Sequence, residues 1–398
     1  MRILVVAPQP FFTPRGTPFS VYYRTLVLAE QGADIDLLTY GQGDDVDIPR
    51  TRIVRIPRFA FLGPIPIGPS WKKLALDFAM NFWTIGLVLR NRYRVVHAHE
   101  EAVFWCRVLK PIFGFKLIYD MHSSLPQQLS NFRFTESNAL IRTFKWLEDS
   151  ALGAADAVIT ICPDLETYAL GTGVDPGKHL LIENSIFEDV KLRKTAALGG
   201  GKPGVSASPA AKPVELDRSR PIIVYAGTFE AYQGIDIVVR AFAQVRSSRP
   251  DVQLLLVGGT PEQVAEIGRL VAELGIGAGV TLTGRVSKTE AIRLSGLGDI
   301  LLSPRRDGTN TPLKIYEQLA SNKPLVATRI WSHTQVLTDD VCVLVEPEPD
   351  SMAQGMLRIL EDPALGPRLA RNARALYEQK YARPIYVRKI QRLLEIVA

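Results

Sequence analysis

Apolar runs of strand length alternate with helix-length segments almost from one end of the chain to the other, and the alternation is interrupted once and then restarts. Parallel sheets covered on both faces by helices produce that pattern, because each parallel strand must be reached by a helical crossover. In the first half the strand-like runs are Arg2 to Ala7, Ile35 to Thr39, Arg52 to Ile56, Val95 to His99, Leu117 to Asp120, Ala157 to Ile161 and Leu180 to Glu183. Helices are predicted over Phe19 to Gln31, Ser137 to Leu152 and Pro163 to Leu170. The second series has strands at Ile222 to Ala226, Gln253 to Val257, Val280 to Thr283, Ile300 to Leu302, Leu325 to Ala327 and Val341 to Val345. Its helices are predicted at Gly234 to Arg246, Pro261 to Leu274, Lys288 to Ser295 and Pro312 to Ala320.

Between the two series, the stretch from Lys191 to Pro221 is rich in Gly, Ala, Ser, Pro and Lys and has no apolar periodicity. It reads as a connector. At 398 residues the chain exceeds the size of an ordinary single core. The expectation is therefore two α/β Rossmann-like domains: 1–187, a linker 188–220, then 221–382, with a last helix, 383–398, returning to the first domain. Ligands of such sheets bind beyond the carboxyl ends of the strands, which predicts an interdomain cleft as the site.

An apolar fraction of 46% with 22% charged residues describes a globular protein, and a formal charge of +6 favours anionic partners. No basic run is interleaved with aromatics, so nucleic acid is not expected. Three scattered cysteines, Cys106, Cys162 and Cys342, form no metal or disulfide pattern and point to a reducing cytoplasm. The apolar run after Met1-Arg2 ends at Pro8 and is too short for a signal peptide. Leu74 to Leu89 carries Phe78, Phe82 and Trp83 between basic flanks, but Asp77 and Asn81 break it and it falls short of the roughly 20 residues of a spanning helix. It is expected to be a core helix of the first domain, with a helix that also touches a membrane surface as the alternative.

Several short motifs fall at predicted strand ends. Gly16-Thr17 precedes a helix, where glycine allows close backbone approach and free N–H groups attract an anion. His97 and His99 share one strand face; a metal would need a third ligand that the sequence does not supply nearby. His97 reads as an interior histidine and His99 as the one nearer the cleft. His122 follows a strand and can donate to a sugar hydroxyl or a phosphate oxygen. In the stretch Ser303 to Thr328, Thr311 reads as a helix cap before Pro312. Lys314 and Glu317 then share a helical face, suited to a diphosphate and a ribose, or to an ordinary surface ion pair.

With Tyr225-Ala-Gly-Thr-Phe and Gly234, Leu256-Val-Gly-Gly, Thr283-Gly-Arg-Val and the Glu183-Asn184-Ser185 turn, these motifs resemble in order the retaining glycosyltransferases of family 4. The resemblance implies the GT-B architecture, a nucleotide-sugar donor, a glycan, lipid-linked or small-molecule acceptor, and no cofactor or obligatory metal. It also implies that Gly16 approaches the donor phosphate, His122 contacts the transferring sugar, Glu317 holds the ribose, and the main chain at Arg285 and Val286 meets the base. The loops Gly227-Thr228 and Gly308-Thr309-Asn310-Thr311 would line the donor site. Two departures stand out. Where many members have an arginine and a lysine, this chain has Thr228 and Gln233, so Lys314 is the candidate cation, with Arg305 or Arg306 behind it. Where a glutamate is common eight residues before Glu317, Thr309 stands, and Asp307 is the candidate catalytic substitute. A sugar-nucleotide epimerase and a silent nucleotide-sugar or glycan binder are the alternatives on the same architecture.

Overall fold

The computed structural model describes residues 1–13, 16–59, 70–124, 138–184 and 216–398. Most of the connector expected at 188–220 lies outside them. The chain divides into two compact units, Met1–Leu198 with Ala382–Ala398, and Gly199–Tyr381.

In the first unit the described residues form a parallel sheet of β1 (Arg2–Ala7), β2 (Asp34–Thr39), β3 (Thr51–Arg55), β4 (Val95–His99), β5 (Lys116–Met121), β6 (Ala157–Thr160) and β7 (His179–Leu181), in the order β3-β2-β1-β4-β5-β6-β7. The inner strands are near-continuous apolar runs, as burial on both faces demands: Ile3 to Ala7 and Val95 to Ala98 are without exposure. Helix Gly16–Glu30 packs on one face, and Trp71–Arg90 and Ala102–Phe113 pack on the other. The last helix, Arg383–Ile396, joins this unit. It places Tyr386, Ile390 and Leu393 in the same cluster as Ile3, Val5 and Val27, and Arg383 pairs with Glu30 at 2.6 Å.

The second unit has β8 (Ile222–Ala226), β9 (Gln253–Val257), β10 (Val280–Leu282), β11 (Ile300–Ser303), β12 (Leu325–Thr328) and β13 (Val343–Val345), all parallel, in the order β10-β9-β8-β11-β12-β13. Each sheet therefore grows outward in both directions from a central pair, β1 with β4 and β8 with β11. Crossovers diverge at such a pair, leaving a crevice at the strands' carboxyl ends.

Three expectations on the helices need correction. Helix Gly16–Glu30 begins at Gly16 rather than Phe19, so Gly16 and Thr17 form its first turn. Ala102–Phe113 is a helix the periodicity did not single out. The segment read as a core helix, Trp71–Arg90, buries only Leu76, Asp77, Met80, Thr84 and Val88, while Trp71, Leu74, Phe78, Phe82 and Leu89 face outward.

Candidate functional site

The loops leaving β8 and β11 meet at the centre of the second sheet. Gly227 and Thr228 are exposed after β8, and Gly234 then opens the helix Ile235–Ser248. Gly234 has φ +69°, and a Cβ there would overlap the Pro304 carbonyl oxygen, so the two loops approach this closely only with glycine. Across the junction the Arg306 amide donates to the Tyr232 carbonyl at 2.8 Å.

Lys314 reaches into this junction from the first turn of the helix Leu313–Ala320. Its Nζ lies 3.2 Å from Gln233 Oε1 and 4.4 Å from the centroid of the Tyr225 ring. Part of the side chain stays accessible, but the ammonium is enclosed. Burial first, and then the Arg305 guanidinium, push it down to about 7. Arg305 lies over Tyr232 at 5.0 Å, and its Nε meets no acceptor among the described residues. Arg306 instead pairs outward with Asp236, so Arg305 is the arginine that accompanies Lys314. Asp307 is exposed and acts on Arg305 through charge. The helix starts without a side-chain cap, and of its first three amides that of Ile315 donates to the Pro312 carbonyl at 3.0 Å. A lysine beside the positive end of a helix is the unfavourable arrangement. Two cations and a helix N-terminus thus converge where, among the described residues, no carboxylate pairs with Lys314; the arrangement is electrostatically completed by an anion with several oxygens.

The surrounding loop departs from the sequence reading in two respects. Pro312 occupies the cap position, with φ −65° and ψ 136°, and the Thr311 hydroxyl bonds to none of the described residues, because the proline ring holds the chain extended at the place where a cap is needed. Glu317 does not pair with Lys314; its Oε1 is 3.3 Å from Lys288 Nζ. That pair ties the helix to the segment before Lys288, where Arg285 is exposed and Val286 half-buried. Gly308, φ +137°, sits against Arg305, and the Asn310 carbonyl accepts from Arg305 Nη1 at 3.3 Å, while the Thr309 carbonyl accepts from Gln335. Underneath, His333 is a member that the sequence reading missed. Its Nδ1 donates to the Thr328 carbonyl at 2.9 Å and its Nε2 lies 3.0 Å from Ser303 Oγ, which fastens the ends of β11 and β12 together. No spacing signals it, since the partners belong to different strands.

In the first unit His122 follows β5 directly. It is buried, and so is His99, contrary to the expectation of a more exposed His99. The parallel register places His99 opposite Asp120. Asp120 Oδ2 lies 2.8 Å from Arg24 Nε, 3.0 Å from His97 Nε2 and 3.3 Å from His99 Nδ1; Oδ1 is 3.3 Å from His122 Nε2. His99 Nδ1 and His122 Nε2 are 3.0 Å apart. Burial lowers His122 to about 4 despite the opposing pull of Asp120, so it is neutral at physiological pH. Arg24 holds the Asp120 carboxyl far below the ordinary range against the effect of burial. The third metal-like ligand that the sequence did not supply is therefore Asp120: with His97 and His99 its donor atoms lie within 4.8 Å. The Arg24 guanidinium already occupies that carboxylate and neutralises it. Gly16 stands at the start of its helix, and a Cβ there would meet no described atom within 4 Å.

A family model described as "Glycosyl transferase 4-like domain" matches residues 26–185, and one described as "Glycosyl transferases group 1" matches residues 220–362, one in each unit. The chain belongs to these glycosyltransferases. Alpha-D-kanosaminyltransferase of Streptomyces kanamyceticus is 26% identical over 404 residues, covering 96% of each chain. Phosphatidyl-myo-inositol mannosyltransferase of Mycobacterium tuberculosis is 27% identical over 412 residues, covering 100% of this chain and 97% of that one. Sucrose-phosphate synthase from Thermosynechococcus elongatus superposes with a TM-score of 0.71 at 21% identity, over 99% of this chain and 98% of that one. Anabaena HepE in complex with UDP gives 0.68 at 17% identity over 99% of both. The glycosyltransferase accordingly has the GT-B fold.

The depressed Lys314 ammonium makes anion binding pH-dependent in a definite direction. An anion favours the protonated form, so binding takes up a proton, and affinity for inorganic pyrophosphate falls as pH rises above about 7. Lys314→Arg stays charged throughout and supplies the reference that removes the ligand's own titration. Calorimetry between pH 6 and 9 should show a steeper loss in the wild type than in Lys314→Arg; equal slopes would remove Lys314 from the anion site.

Proposed function

We propose that this glycosyltransferase moves a sugar from a nucleoside-diphosphate-sugar donor to a glycan, lipid-linked or small-molecule acceptor, with the nucleotide held by the second unit. The observation that carries the reading is the positive charge of Lys314, which no described carboxylate pairs with, beside Arg305 at a helix N-terminus without a side-chain cap. Departure of a nucleoside diphosphate leaves negative charge on phosphate oxygens, and preorganised cations and N–H dipoles stabilise it most where water is excluded. HepE, a structural relative, is solved with UDP, which supports a nucleotide ligand for this fold.

On this reading the phosphates meet Lys314, Arg305 and the amides of the 308–311 loop, with Gly227 and Thr228 forming the opposite wall. The ribose meets Glu317, and the base meets the main chain at Arg285 and Val286. Gly16 and Thr17 offer a second helix N-terminus to the donor phosphate. His122, being neutral, serves the transferring sugar as a hydrogen-bond partner and not as a cation. Asp307 is the loop carboxylate for the sugar side. The configuration of the transferred sugar is retained, as in the family resembled, and the enzyme works without a metal because its cations do that electrostatic work.

Glu317→Ala is expected to weaken nucleotide binding by about 1–3 kcal/mol, the range for losing a hydrogen bond to a charged group. Titration calorimetry measures it, and unchanged affinity in a folded variant would exclude Glu317 from the ribose. Turnover with a matched donor and acceptor is expected to survive EDTA; complete loss that magnesium or manganese restores would contradict the metal-free reading.

The outward face of the helix Trp71–Arg90 supports a peripheral contact with the cytoplasmic side of an anionic membrane. Trp71, Leu74, Phe78, Phe82 and Leu89 form one exposed apolar stripe, and exposed Lys72, Arg90, Arg92 and Arg94 flank it. No described helix is long and apolar enough to cross a membrane. Apolar insertion and anionic attraction act together in such helices. Flotation with vesicles containing phosphatidylglycerol should carry the protein, and Phe78→Ser with Phe82→Ser should abolish this; no difference from neutral phosphatidylcholine vesicles would rule out the contact.

A further inference from the structure

Beneath His122 lies a sealed chain of side chains that the proposed chemistry does not itself use: Arg24, Asp120, His97 and His99. Every hydrogen in it has few places to go. Asp120 Oδ2 is ion-paired with Arg24, whose Nε lies 2.8 Å away, and accepts from His97 Nε2 at 3.0 Å. His99 must then choose which ring nitrogen carries its proton. If it were Nε2, that N–H would be buried with no acceptor among the described residues, and the Nδ1 lone pair would face the Asp120 carboxylate at 3.3 Å. Both are costly: an orphaned buried donor forfeits its hydration, and two acceptors repel. With the proton on Nδ1 both faults vanish at His99, and the buried donor is moved to His122 Nδ1, on the ring that meets the proposed sugar. The His99 Nδ1–H then points at His122 Nε2, 3.0 Å away, and two N–H groups cannot face each other across that distance.

We propose that His99 is a positioning residue for His122: its Nδ1–H holds His122 as the neutral tautomer with a bare Nε2 and the proton on Nδ1, a fixed hydrogen-bond donor. The inference rests on the proposed role of His122 at the transferring sugar for its catalytic consequence, but not for the tautomer. A neutral donor adds no charge beside a sugar that becomes oxocarbenium-like, which a protonated histidine would do. Arg24 serves the same end at one remove: by neutralising Asp120 it keeps the carboxylate from drawing a proton onto His122 Nε2, whose distance to Asp120 Oδ1 is 3.3 Å. Around His122 the charged and titratable groups are Asp120, Arg24, His97, His99 and Glu101.

The chain has five histidines, few enough to resolve by histidine-selective ¹⁵N labelling, with multiple-bond ¹⁵N–¹H spectra reporting which nitrogen of each ring is protonated. In the wild type at pH 7 the His122 resonances should be those of a protonated Nδ1 and an unprotonated Nε2. His99→Leu removes the donor, and His122 should switch to the Nε2–H tautomer, its proton now aimed at Asp120 Oδ1. His99→Asn places an amide N–H where Nδ1–H was and should restore the wild-type tautomer. Undisturbed His179 and His333 signals, and unchanged nucleotide affinity, certify that each variant is folded. In turnover assays His99→Leu should lower kcat at least about tenfold, less than the roughly 100-fold or more expected for losing an acid–base group outright, with His99→Asn rescuing it and donor KM little changed. A His122 Nε2–H tautomer in the wild type, or the same tautomer in wild type and His99→Leu, overturns the proposal, and the wild-type spectrum decides this even if the leucine variant does not fold. The predicted tautomers together with normal kcat in both His99→Leu and His122→Ala would instead remove His122 from the reaction and leave the tautomer assignment standing.

Discussion

Parallel strand pairing governs everything functional in this chain, because it turns distant sequence positions into neighbours at one edge of a sheet. The pairing of β4 with β5 sets His99 against Asp120 and thereby assembles the histidine cluster. In the second unit, β8 and β11 are adjacent although β9 and β10 intervene in the chain, so the loop holding Gly234 meets the loop that begins at Pro304. Crossovers that diverge from these central pairs leave the strand ends uncovered, and the uncovered ends carry the polar groups. An apolar strand interior is the condition for this: a single misplaced polar residue in Ile3 to Ala7 would disturb the layer that holds the loops above it.

The two units handle buried charge in opposite ways. In the first, Arg24 and Asp120 cancel at 2.8 Å and three histidines lie around them, with His122 driven neutral by burial. The charges of such a group balance internally, which suits a rigid support. In the second, Lys314 and Arg305 lie close without a carboxylate partner for Lys314, and the fold tolerates this only by letting the ammonium fall to about 7. Lost ion-pair energy of this kind is recovered when an anion arrives. On the proposed reading the phosphate site announces itself by the carboxylate that Lys314 lacks, whereas in the histidine cluster Arg24 and Asp120 balance each other's charge.

The strands were legible in the sequence because periodicity and apolar content report burial directly: the thirteen described strands overlap the thirteen runs read from it, with ends shifted by a residue or two, as at Lys116 and Met121. Helices were less so. Gly16-Thr17 read as a loop because its glycine masks a first turn, and Ala102–Phe113 escaped because Pro111 lies within it. The residues of the candidate sites were found as types, but their partners were not. Glu317 looked like a companion of Lys314 from i,i+3 spacing, yet Lys288 takes it, since a helical spacing states only which groups could meet. Thr311 looked like a cap until proline geometry displaced it. Asp120 and His333 were invisible as site members because their partners lie on other strands, and strand order cannot be read from local pattern.

The helix Trp71–Arg90 shows where local pattern misleads in another way. Its buried face includes Asp77, which bonds Tyr40, and Lys73, which binds Glu101 at 2.7 Å, while its aromatic residues point to solvent. A reader who assigns every aromatic residue to the core and every polar one to the surface misplaces these groups, although Leu76, Met80 and Val88 do face inward. The polar part of the inner face has a physical explanation: Tyr40, Glu100 and Glu101 sit at the carboxyl ends of β2 and β4, and Asp77 and Lys73 meet them. Burial pushes Asp77 up to about 8 and Glu100 up to about 7, so the lysine is needed there to keep the carboxylates' charge tolerable. The inner face is shared between that network and Leu76, Met80 and Val88, while the aromatic residues lie on the outer face. The polar contacts at the inner face thus belong to the same carboxyl edge of the sheet that carries His99 and His122.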